Sequence, residues 1–240
     1  MDMQFDFLRN YQFGPAMTAD VPRYVDMLES LRRGVDVLYD SPEAMLIHQP
    51  QGACTLGATD SDAARHALDA ALPTDVSHLV VRDEALLAYV RERFGLEGHS
   101  RCVQICYEGI MPVVEGPMVI RHPTAEDWDA VRATYDLVDD EHLYRHFVSD
   151  DFFCGYVDGH LAAYVGLHTE GAMGMLYVFP DYRRRGLAAQ MVSFFVRRQL
   201  SLGRFAYAHV FEDNFPSLAL QRKMGMTFSS SPIWWTWPGD

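Results

Sequence analysis

The stretch LYVFPDYRRRGLAAQMVSFFVRRQ, residues 176–199, constrains the fold most, because it predicts a strand, a short turn and a long helix in direct succession. A strand that runs straight into a helix leaves unbonded backbone N–H groups at the turn, and the helix dipole adds partial positive charge there. Gly186 lets the backbone approach a ligand closely, and Arg183–Arg185 add three cationic side chains. The turn therefore predicts an anion site that suits a pyrophosphate.

The charge of the whole chain limits the kind of partner. Its formal net charge is −13, which argues against a nucleic-acid partner because duplex binding depends on many Lys and Arg contacts to phosphate. Three arginines as mere surface decoration would also be unfavourable, since the helix dipole disfavours each cation at an N-terminus by about 0.3–1 kcal/mol. The arginine turn is therefore predicted to bind a small anionic ligand.

The cysteines and the first residues indicate the compartment. Four cysteines without a CxxC pair, Cys54, Cys102, Cys106 and Cys154, are predicted to be reduced core residues. The opening MDMQFDFLRN lacks the pattern of a secretory signal, and no apolar window reaches the length of a membrane span. A cytoplasmic location with no membrane partner is the expectation.

Hydrophobic periodicity predicts two series of elements separated by a linker over 109–117. The first series has a helix capped by Thr18, then strands and helices up to a strand over 101–107. The second has a helix over 124–138 with a capping box of Thr124 and Asp127, antiparallel strands joined by Asp158-Gly159, and strand–helix–strand units. This order predicts a mixed α/β sheet.

The two series also resemble each other. VVRDEALLAYVRERFGL (residues 80–96) aligns without a gap with VFEDNFPSLALQRKMGM (residues 210–226), which indicates either a duplicated domain or two generic β-α-β units. The corresponding first-half turn, Thr59-Asp60-Ser61-Asp62, is acidic and lacks glycine. The first half is therefore not expected to hold the same anion.

Two blocks resemble the GNAT N-acetyltransferase superfamily. Arg183 to Ala188 reads R-x-x-G-x-A, similar to the family signature Q/R-x-x-G-x-G/A, and DNFPSLALQRKMGM (residues 213–226) resembles N-x-x-A/S-x-x-L-Y-x-K-x-G-F. FAYAHVFEDN and PIWWTWP look most like the glycine N-acyltransferase branch, whose members carry a degenerate first copy. The resemblance implies an α/β (α+β) fold of tandem GNAT-like, mostly antiparallel sheets flanked by helices, with a degenerate domain at 1–117 and a catalytic domain at 118–240.

The resemblance also implies a site for an acyl-CoA. The pantetheine arm is expected along the backbone of the fourth strand of the catalytic domain, the pyrophosphate on the amides from Arg184 to Ala188, and Asn214 and Ser217 near the arm. The expected cofactor-binding residues are Leu176, Tyr177, Val178, Arg183, Arg184, Arg185, Gly186, Leu187, Ala188, Asn214, Ser217 and Gln221.

The catalytic groups depart from the family pattern. The usual tyrosine acid falls at Gln221, which has no titratable proton to give, so Tyr177 or a water is the expected substitute. The usual glutamate base falls at Ala172; Glu170, two residues earlier and on the same strand face by alternation, is the first candidate, with His168 and His209 as the others. Glu170, His209 and Tyr177 are the predicted catalytic residues.

The resemblance implies an N-acetyltransferase that transfers an acyl group from acetyl-CoA, or another acyl-CoA, to a primary amine of a small molecule or peptide. A catalytically silent acyl-CoA-binding protein is the alternative, and a structural homodimer formed through the first half leaves the arginine turn unexplained. His142 and His146, four residues apart beside acidic residues, are predicted to cover the substrate opening, and no metal is expected.

Overall fold

The computed structural model describes residues 3–239, which divide into two compact units. Unit 1 comprises the chain up to Cys106, His209–Phe215 and the residues from Thr227 onwards. Unit 2 comprises Tyr107–Ala208 and Pro216–Met226. The division into two domains between residues 117 and 118 stays a prediction.

The described residues form strands and helices in alternating groups. The strands are β1 (Asp36–Asp40), β2 (Ala44–His48), β3 (Ala53–Ala58), β4 (His78–Val81), β5 (Gly98–Cys106), β6 (Val119–Arg121), β7 (Phe152–Val157), β8 (His160–Leu167), β9 (Met173–Val178), β10 (Tyr207–Phe211), β11 (Thr227–Phe228) and β12 (Ile233–Trp237). The α-helices are α1 (Gly14–Ala19), α2 (Val21–Arg32), α3 (Ser61–Ala71), α4 (Leu86–Phe94), α5 (Trp128–Arg132), α6 (Asp140–Phe147), α7 (Leu187–Ser201) and α8 (Phe215–Lys223).

The strands of residues 3–239 belong to two sheets. The first has the order β1-β2-β3-β4-β12-β5-β10, with β11 paired to β5, and the second has the order β6-β7-β8-β9. β3 and β4 are parallel, whereas β12 runs antiparallel to both β4 and β5. The expectation of a mixed α/β fold with mostly antiparallel sheets flanked by helices is therefore confirmed.

Unit 1 has its core where α3 and α4 cover the sheet. Leu46, Leu56, Leu79, Val90 and Trp234 are buried there in one hydrophobic cluster. The alternation of apolar residues along β2, β3 and β4 produces this layer, because every second side chain of a strand faces the same side of its sheet.

The amino end of α3 is capped by the protein itself. Asp60 is the N-cap residue, and its side chain accepts hydrogen bonds from the N–H groups of Asp62 and Ala63 at 3.0 and 2.9 Å. These bonds satisfy N–H groups that the first turn of a helix otherwise leaves unpaired.

Unit 2 is built on the hairpin of β7 and β8, and its core lies under α5 and α6. Asp158 and Gly159 both have positive φ, 50° and 82°, as a two-residue type I′ turn requires, so the predicted turn is confirmed. Buried aromatic residues fill the core, with Tyr164 stacked between Phe152 and Tyr177 at centroid distances of 5.7 and 5.5 Å.

Of the predicted helix boundaries, one start was right, one start was wrong, and one helix ends earlier than predicted. Thr124 and Asp127 form the predicted capping box. The helix expected to continue to residue 138 instead ends at Arg132, and a separate helix α6 begins after its N-cap residue Asp139. Thr18 does not cap α2: Asp20 does, because its carboxylate accepts from the Arg23 N–H.

The predicted chemical state of the cysteines is confirmed. All four cysteines are free and buried. Burial raises the pKa values of Cys54, Cys102 and Cys154 to about 12, so these thiols carry no charge at neutral pH. None of the helices between residues 3 and 239 has the length and apolar character that a membrane crossing needs.

Candidate functional site

The free backbone of β9 forms one side of the candidate site. Phe179 N–H donates to Ala162 O at 3.0 Å, and Val178 is paired with Ala163. Because bonded and non-bonded pairs alternate in an antiparallel ladder, the N–H and C=O of Val178 point away from β8. The Val178 carbonyl accepts a bond from Arg183 Nε at 3.0 Å on that side. The Val178 N–H is thus directed toward the free edge of the sheet.

A bulge changes the direction of this strand just before the free edge. The pairing register of β8 and β9 shifts so that Met175 and Leu176 lie opposite the single residue Val165. Met175 has φ 54°, an unusual conformation for a residue with a side chain. Bulges are frequent next to active sites because they redirect backbone groups, and this one precedes Tyr177 and Val178.

The arginine turn connects β9 to α7 and leaves the amino end of the helix without a side-chain cap. Gly186 is the N-cap residue with φ 81°, and the first helical bond runs from Gln190 N–H to Gly186 O at 3.1 Å. The N–H groups of Leu187, Ala188 and Ala189 therefore have no partner inside the helix. The turn presents a row of donors together with the positive end of the helix dipole.

The three arginine side chains are exposed, and two of them are held by the turn. Arg183 donates to Val178 O and lies 5.6 Å from the Tyr177 ring, while Arg185 donates to Asp181 O at 2.8 Å. Arg184 has φ 63°, and within the described chain its guanidinium forms no hydrogen bond or ion pair. The turn thus combines fixed cationic groups with one that is free to bind an anion.

Gln190, which the sequence analysis did not single out, fixes the start of α7. It is buried, accepts a bond from Met118 N–H at 3.1 Å and donates one to Met118 O at 3.0 Å. A Cβ on Gly116 would overlap the Gln190 carboxamide. A glutamine at a buried position in the first turn of the helix was the signal in the sequence.

The catalytic role of Glu170 stays a prediction, but the strand-face argument for it was wrong. The strand alternation predicted for it does not apply, because β9 begins at Met173 and Glu170 lies in the turn after β8. Its backbone carbonyl accepts a bond from Tyr207 Oη at 2.9 Å.

The structure brings Glu170 close to a second titratable group, His146 of α6. Burial lowers the pKa of His146 below its usual value, the neighbouring charge of His168 lowers it further, and Glu170 opposes the change. His146 is therefore neutral near pH 7 and able to accept a proton. It was predicted only to cover the opening, so its lowered pKa was not anticipated.

Tyrosine side chains complete this part of unit 2. Tyr177 stacks on Tyr164, and Tyr164 Oη lies 3.1 Å from Thr134 Oγ1. The hydroxyl of Tyr135 is buried with no hydrogen-bond partner among the described residues, and burial raises its pKa. An unpaired buried hydroxyl is energetically costly, and the negative charge of Glu170 contributes to the raised pKa of Tyr135.

A comparison with protein-family models matches residues 120–226 to the model described as "Acetyltransferase (GNAT) family". The match spans β6 to the end of α8, including the edge strand and the arginine turn. Residues 120–226 are therefore similar in sequence to the GNAT acetyltransferase family. The narrower resemblance to the glycine N-acyltransferase branch, with its degenerate first copy, stays a prediction.

Solved structures similar to this chain include GNAT proteins. A Drosophila protein has a TM-score of 0.66 at 14% identity, with 98% of this chain and 94% of that chain covered. A GCN5-related N-acetyltransferase from Kribbella flavida has a TM-score of 0.54 at 14% identity, covering 92% and 97%. A GCN5-related N-acetyltransferase-like protein from Streptococcus suis has 0.52 at 12%, covering 94% and 98%. At these identities the similarity establishes the fold alone. A comparison with curated protein sequences found no match.

His209 has different surroundings from those expected of a catalytic residue. His209 belongs to unit 1, where its Nε2 lies 2.9 Å from Gln104 Oε1 and its Nδ1 accepts a bond from Trp235 Nε1 at 3.3 Å. Asp26 Oδ2 lies 4.0 Å from the same Nε2. Both ring nitrogens are engaged in a largely buried network. Its catalytic role stays a prediction.

The second GNAT block distributes its residues over the turn before α8 and the helix itself. Asn214 lies in the turn after β10, and its N–H donates to Phe211 O at 3.0 Å. Ser217 and Gln221 lie on α8. Gln221, at the position of the family tyrosine, is 3% exposed, and its Oε1 is buried without a hydrogen-bond partner in the described chain.

No metal cluster emerges around the GNAT residues. Across residues 3–239, His, Cys, Asp and Glu side chains do not gather in groups of three or more that would hold a metal ion. His142 Nδ1 instead pairs with Asp139 at 2.7 Å, next to the bond by which Asp139 caps α6.

Proposed function

We propose that this protein is an acyl-CoA-dependent N-acyltransferase that transfers an acyl group, with acetyl as the first candidate, to a primary amine of a small molecule or peptide. The observation that carries the proposal is the juxtaposition of the free Val178 N–H with the uncapped amino end of α7 and its three arginines. One unit thereby offers a donor for a developing oxyanion and a cationic seat for a pyrophosphate.

The residues of the turn suit a pyrophosphate by their donors and charge. The N–H groups from Arg184 to Ala188 lie at the positive end of the helix dipole, and no side chain caps them. Arg183 and Arg185 are already oriented by bonds to Val178 O and Asp181 O. Binding an anion therefore removes the repulsion among these cations without reorganising the turn.

The free edge of β9 suits an extended pantetheine arm, with Leu176, Tyr177 and Val178 alongside it. In this placement the Val178 N–H donates to the carbonyl oxygen that gains negative charge when the amine attacks. The acyl group passes from sulfur to nitrogen, and the amine gives up one proton.

Glu170 and His146 are the groups proposed to accept the proton of the amine. An amine attacks only when neutral, so a nearby base with a pKa at or below neutrality assists it. His146 meets this condition because burial keeps it neutral, and Glu170 adds negative charge that attracts an ammonium substrate. His209 has both ring nitrogens engaged elsewhere and ranks below them.

The leaving thiolate has no standard acid. Gln221 has no titratable proton, so protonation by Tyr177 or water is the proposed route. Because a thiol pKa is about 8.5, the thiolate is a tolerable leaving group near neutral pH and turnover does not depend on an acid. If chemistry has been lost, a silent acyl-CoA-binding protein remains, with an intact arginine turn and no turnover.

The first experiment is calorimetric titration with acetyl-CoA and CoA, followed by thiol release with a panel of amines. Arg183→Glu with Arg185→Glu should weaken CoA binding at least ten-fold, because two cations become anions at the pyrophosphate. Arg91→Glu with Arg93→Glu, at the same spacing on exposed positions of α4, is the control for charge. Equal affinity in both double variants would exclude this placement of the pyrophosphate.

Turnover separates the enzyme from the silent binding protein. In the enzyme, Glu170→Gln and His146→Gln should each lower amine-dependent thiol release at least ten-fold while leaving CoA affinity within two-fold. Binding without release across the whole panel would assign the protein to the silent alternative.

A further inference from the structure

Unit 1 contains a cavity of about 110 Å³ that the acyl-transfer proposal does not use. It lies where the parallel strands β3 and β4 end and where α3 and α4 begin. In open α/β sheets this is the position at which ligands bind, outside the carboxyl ends of the strands. The lining residues come from the end of β3, the turns after β3 and β4, the starts of α3 and α4, and α2, and its charged members are Arg23, Asp60, Arg82 and Asp83.

One of the two cations at the cavity is already used by the fold. Arg82 is buried, forms an ion pair with the buried Asp26, and donates to Leu56 O at 2.5 Å and to Arg23 O at 3.0 Å. It fills the space between the diverging ends of β3 and β4. Its charge is therefore balanced from inside the unit.

The other cation has donor capacity left. Arg23 Nε is buried, and no hydrogen-bond acceptor contacts it within residues 3–239. The pKa of Asp83 is lowered mainly by its bond from Ser61, then by the Ala85 N–H, and also by the charge of Arg23. The guanidinium of Arg23 thus acts on a carboxylate that lines the same cavity. Arg23 as a whole is only partly buried, but a buried Nε–H without an acceptor is costly, which favours a ligand that supplies one.

Two carboxylates at the cavity have acceptor capacity left. Asp60 accepts from Thr59 and from two N–H groups of α3, and Asp83 accepts from Ser61 and Ala85 N–H. An ionised carboxylate offers about four lone-pair sites, so each has at least one remaining. Because Arg82 is balanced by Asp26, the lining presents Arg23 as the available cation beside two carboxylates, and a ligand that carries both a carboxylate and an ammonium group matches these charges.

We propose that this cavity binds a small zwitterionic α-amino acid, its carboxylate on Arg23 and its ammonium on Asp60 and Asp83. An engineered apolar cavity of about 150 Å³ admits benzene, so this smaller volume takes about five or six non-hydrogen atoms, as in glycine or alanine. Leu56, Ala64 and Leu86 supply the apolar wall that faces the Cα or the methyl group. The site belongs to unit 1 alone and does not depend on the proposed acyl transfer.

Calorimetric titration of the full chain with glycine and L-alanine tests the proposal, with acetate and methylamine as probes of each charge alone. We expect glycine or alanine to bind at least ten-fold more tightly than either single-charge probe. Arg23→Gln should lower that affinity at least ten-fold. Arg65→Gln, on an exposed α3 residue paired with Asp62, should leave it within two-fold.

Three results would each overturn the proposal. They are no binding of either amino acid at concentrations up to about 10 mM, binding of acetate as tight as that of glycine, and unchanged affinity in Arg23→Gln. If Arg23→Gln does not fold by circular dichroism, Ala64→Val replaces it, because this change narrows the cavity without altering a charge. Full affinity in Ala64→Val would then reject the cavity as the site, and loss of binding would support it.

Discussion

The two strand–turn–helix connections of this chain, β3 to α3 and β9 to α7, treat the same physical problem in opposite ways. In unit 1 the carboxylate of Asp60 satisfies the first N–H groups of α3. In unit 2 the N-cap is Gly186, which has no side chain, and three arginines add positive charge to an uncapped helix. A helix start that the protein completes contributes stability, whereas one left open is free to bind an anion.

The two units also differ in what occupies the space beside each connection. Arg82 occupies the gap between the ends of β3 and β4, paired with Asp26 and bonded to Leu56 O. The corresponding edge of β9 leaves the Val178 N–H directed away from its own sheet. Unit 1 closes part of its cleft with its own side chain and leaves the adjacent cavity of about 110 Å³, whereas unit 2 keeps the backbone accessible.

The largest expected effect comes from emptying the filled cleft. Arg82→Leu leaves Asp26 buried without its partner, and breaking one side of a buried ion pair lowers the free energy of unfolding by about 3–5 kcal/mol. Urea denaturation measures the change. The double variant with Asp26→Asn should recover part of it, and a loss below about 1 kcal/mol would show that Arg82 does not hold the cleft.

A smaller loss is expected from removing the cap of α3. Asp60→Ala leaves the N–H groups of Asp62 and Ala63 without their acceptor, so the melting temperature should fall by a few degrees. Differential scanning calorimetry measures it, with Asp60→Asn as the control that keeps a capping oxygen. An unchanged melting temperature in Asp60→Ala would contradict the contrast between the two turns.

In the open turn between β9 and α7, replacing Arg184 by glycine should raise the free energy of unfolding rather than lower it. Arg184 has φ 63°, which costs a residue with a side chain about 1–2 kcal/mol, while glycine adds about 0.4–1 kcal/mol of unfolded-state entropy. Arg184→Gly should therefore raise the free energy of unfolding by about 0.5 kcal/mol, the difference between these ranges. The same variant should bind CoA more weakly, since one cation is lost. Reduced stability would show that the conformation of the turn is not strained.

The smallest expected effect is the contribution of His146 to the pH dependence of the free energy of unfolding. The pKa of His146 is lowered by burial, then by the charge of His168, with Glu170 opposing and His142 and Arg145 adding to the decrease. The unfolded state therefore binds the proton more readily, so this residue's contribution to stability is present above its unfolded pKa and is lost as pH falls through that value. NMR titration of the histidines measures the pKa directly. His146→Gln should flatten the pH dependence of unfolding below about pH 6.5, the ordinary pKa of histidine, because the contribution is lost between that value and the lowered pKa of the folded state.

Local chemistry made some of these elements predictable. The Asp158-Gly159 turn, the capping box of Thr124 and Asp127, and the arginine turn depend on residues within a few positions of one another, and each was predicted from its own stretch of sequence. The strand of Glu170 was not, because the turn after β8 takes up the residues that alternation had assigned to β9.

Long-range pairing was the part that the sequence could not predict. Periodicity shows that Ile233–Trp237 is a strand but not which neighbours it takes, and β12 is inserted between β4 and β5 of unit 1. The surroundings of His209 also depend on long-range pairing. Its hydrogen-bond partners are Gln104, about a hundred positions earlier, and Trp235, some 26 positions later. Its surroundings were therefore out of reach of motif spacing.

The insertion of β12 has a consequence for synthesis on the ribosome. Domains generally fold in the order in which they leave the ribosome, with the amino-terminal one first. Here the gap between β4 and β5 closes only when Ile233–Trp237 has been translated, after the main segment of unit 2. Until the later strands are translated, the nascent first half exposes one edge of β4 and both edges of β5, so chaperone binding during translation should be concentrated on unit 1.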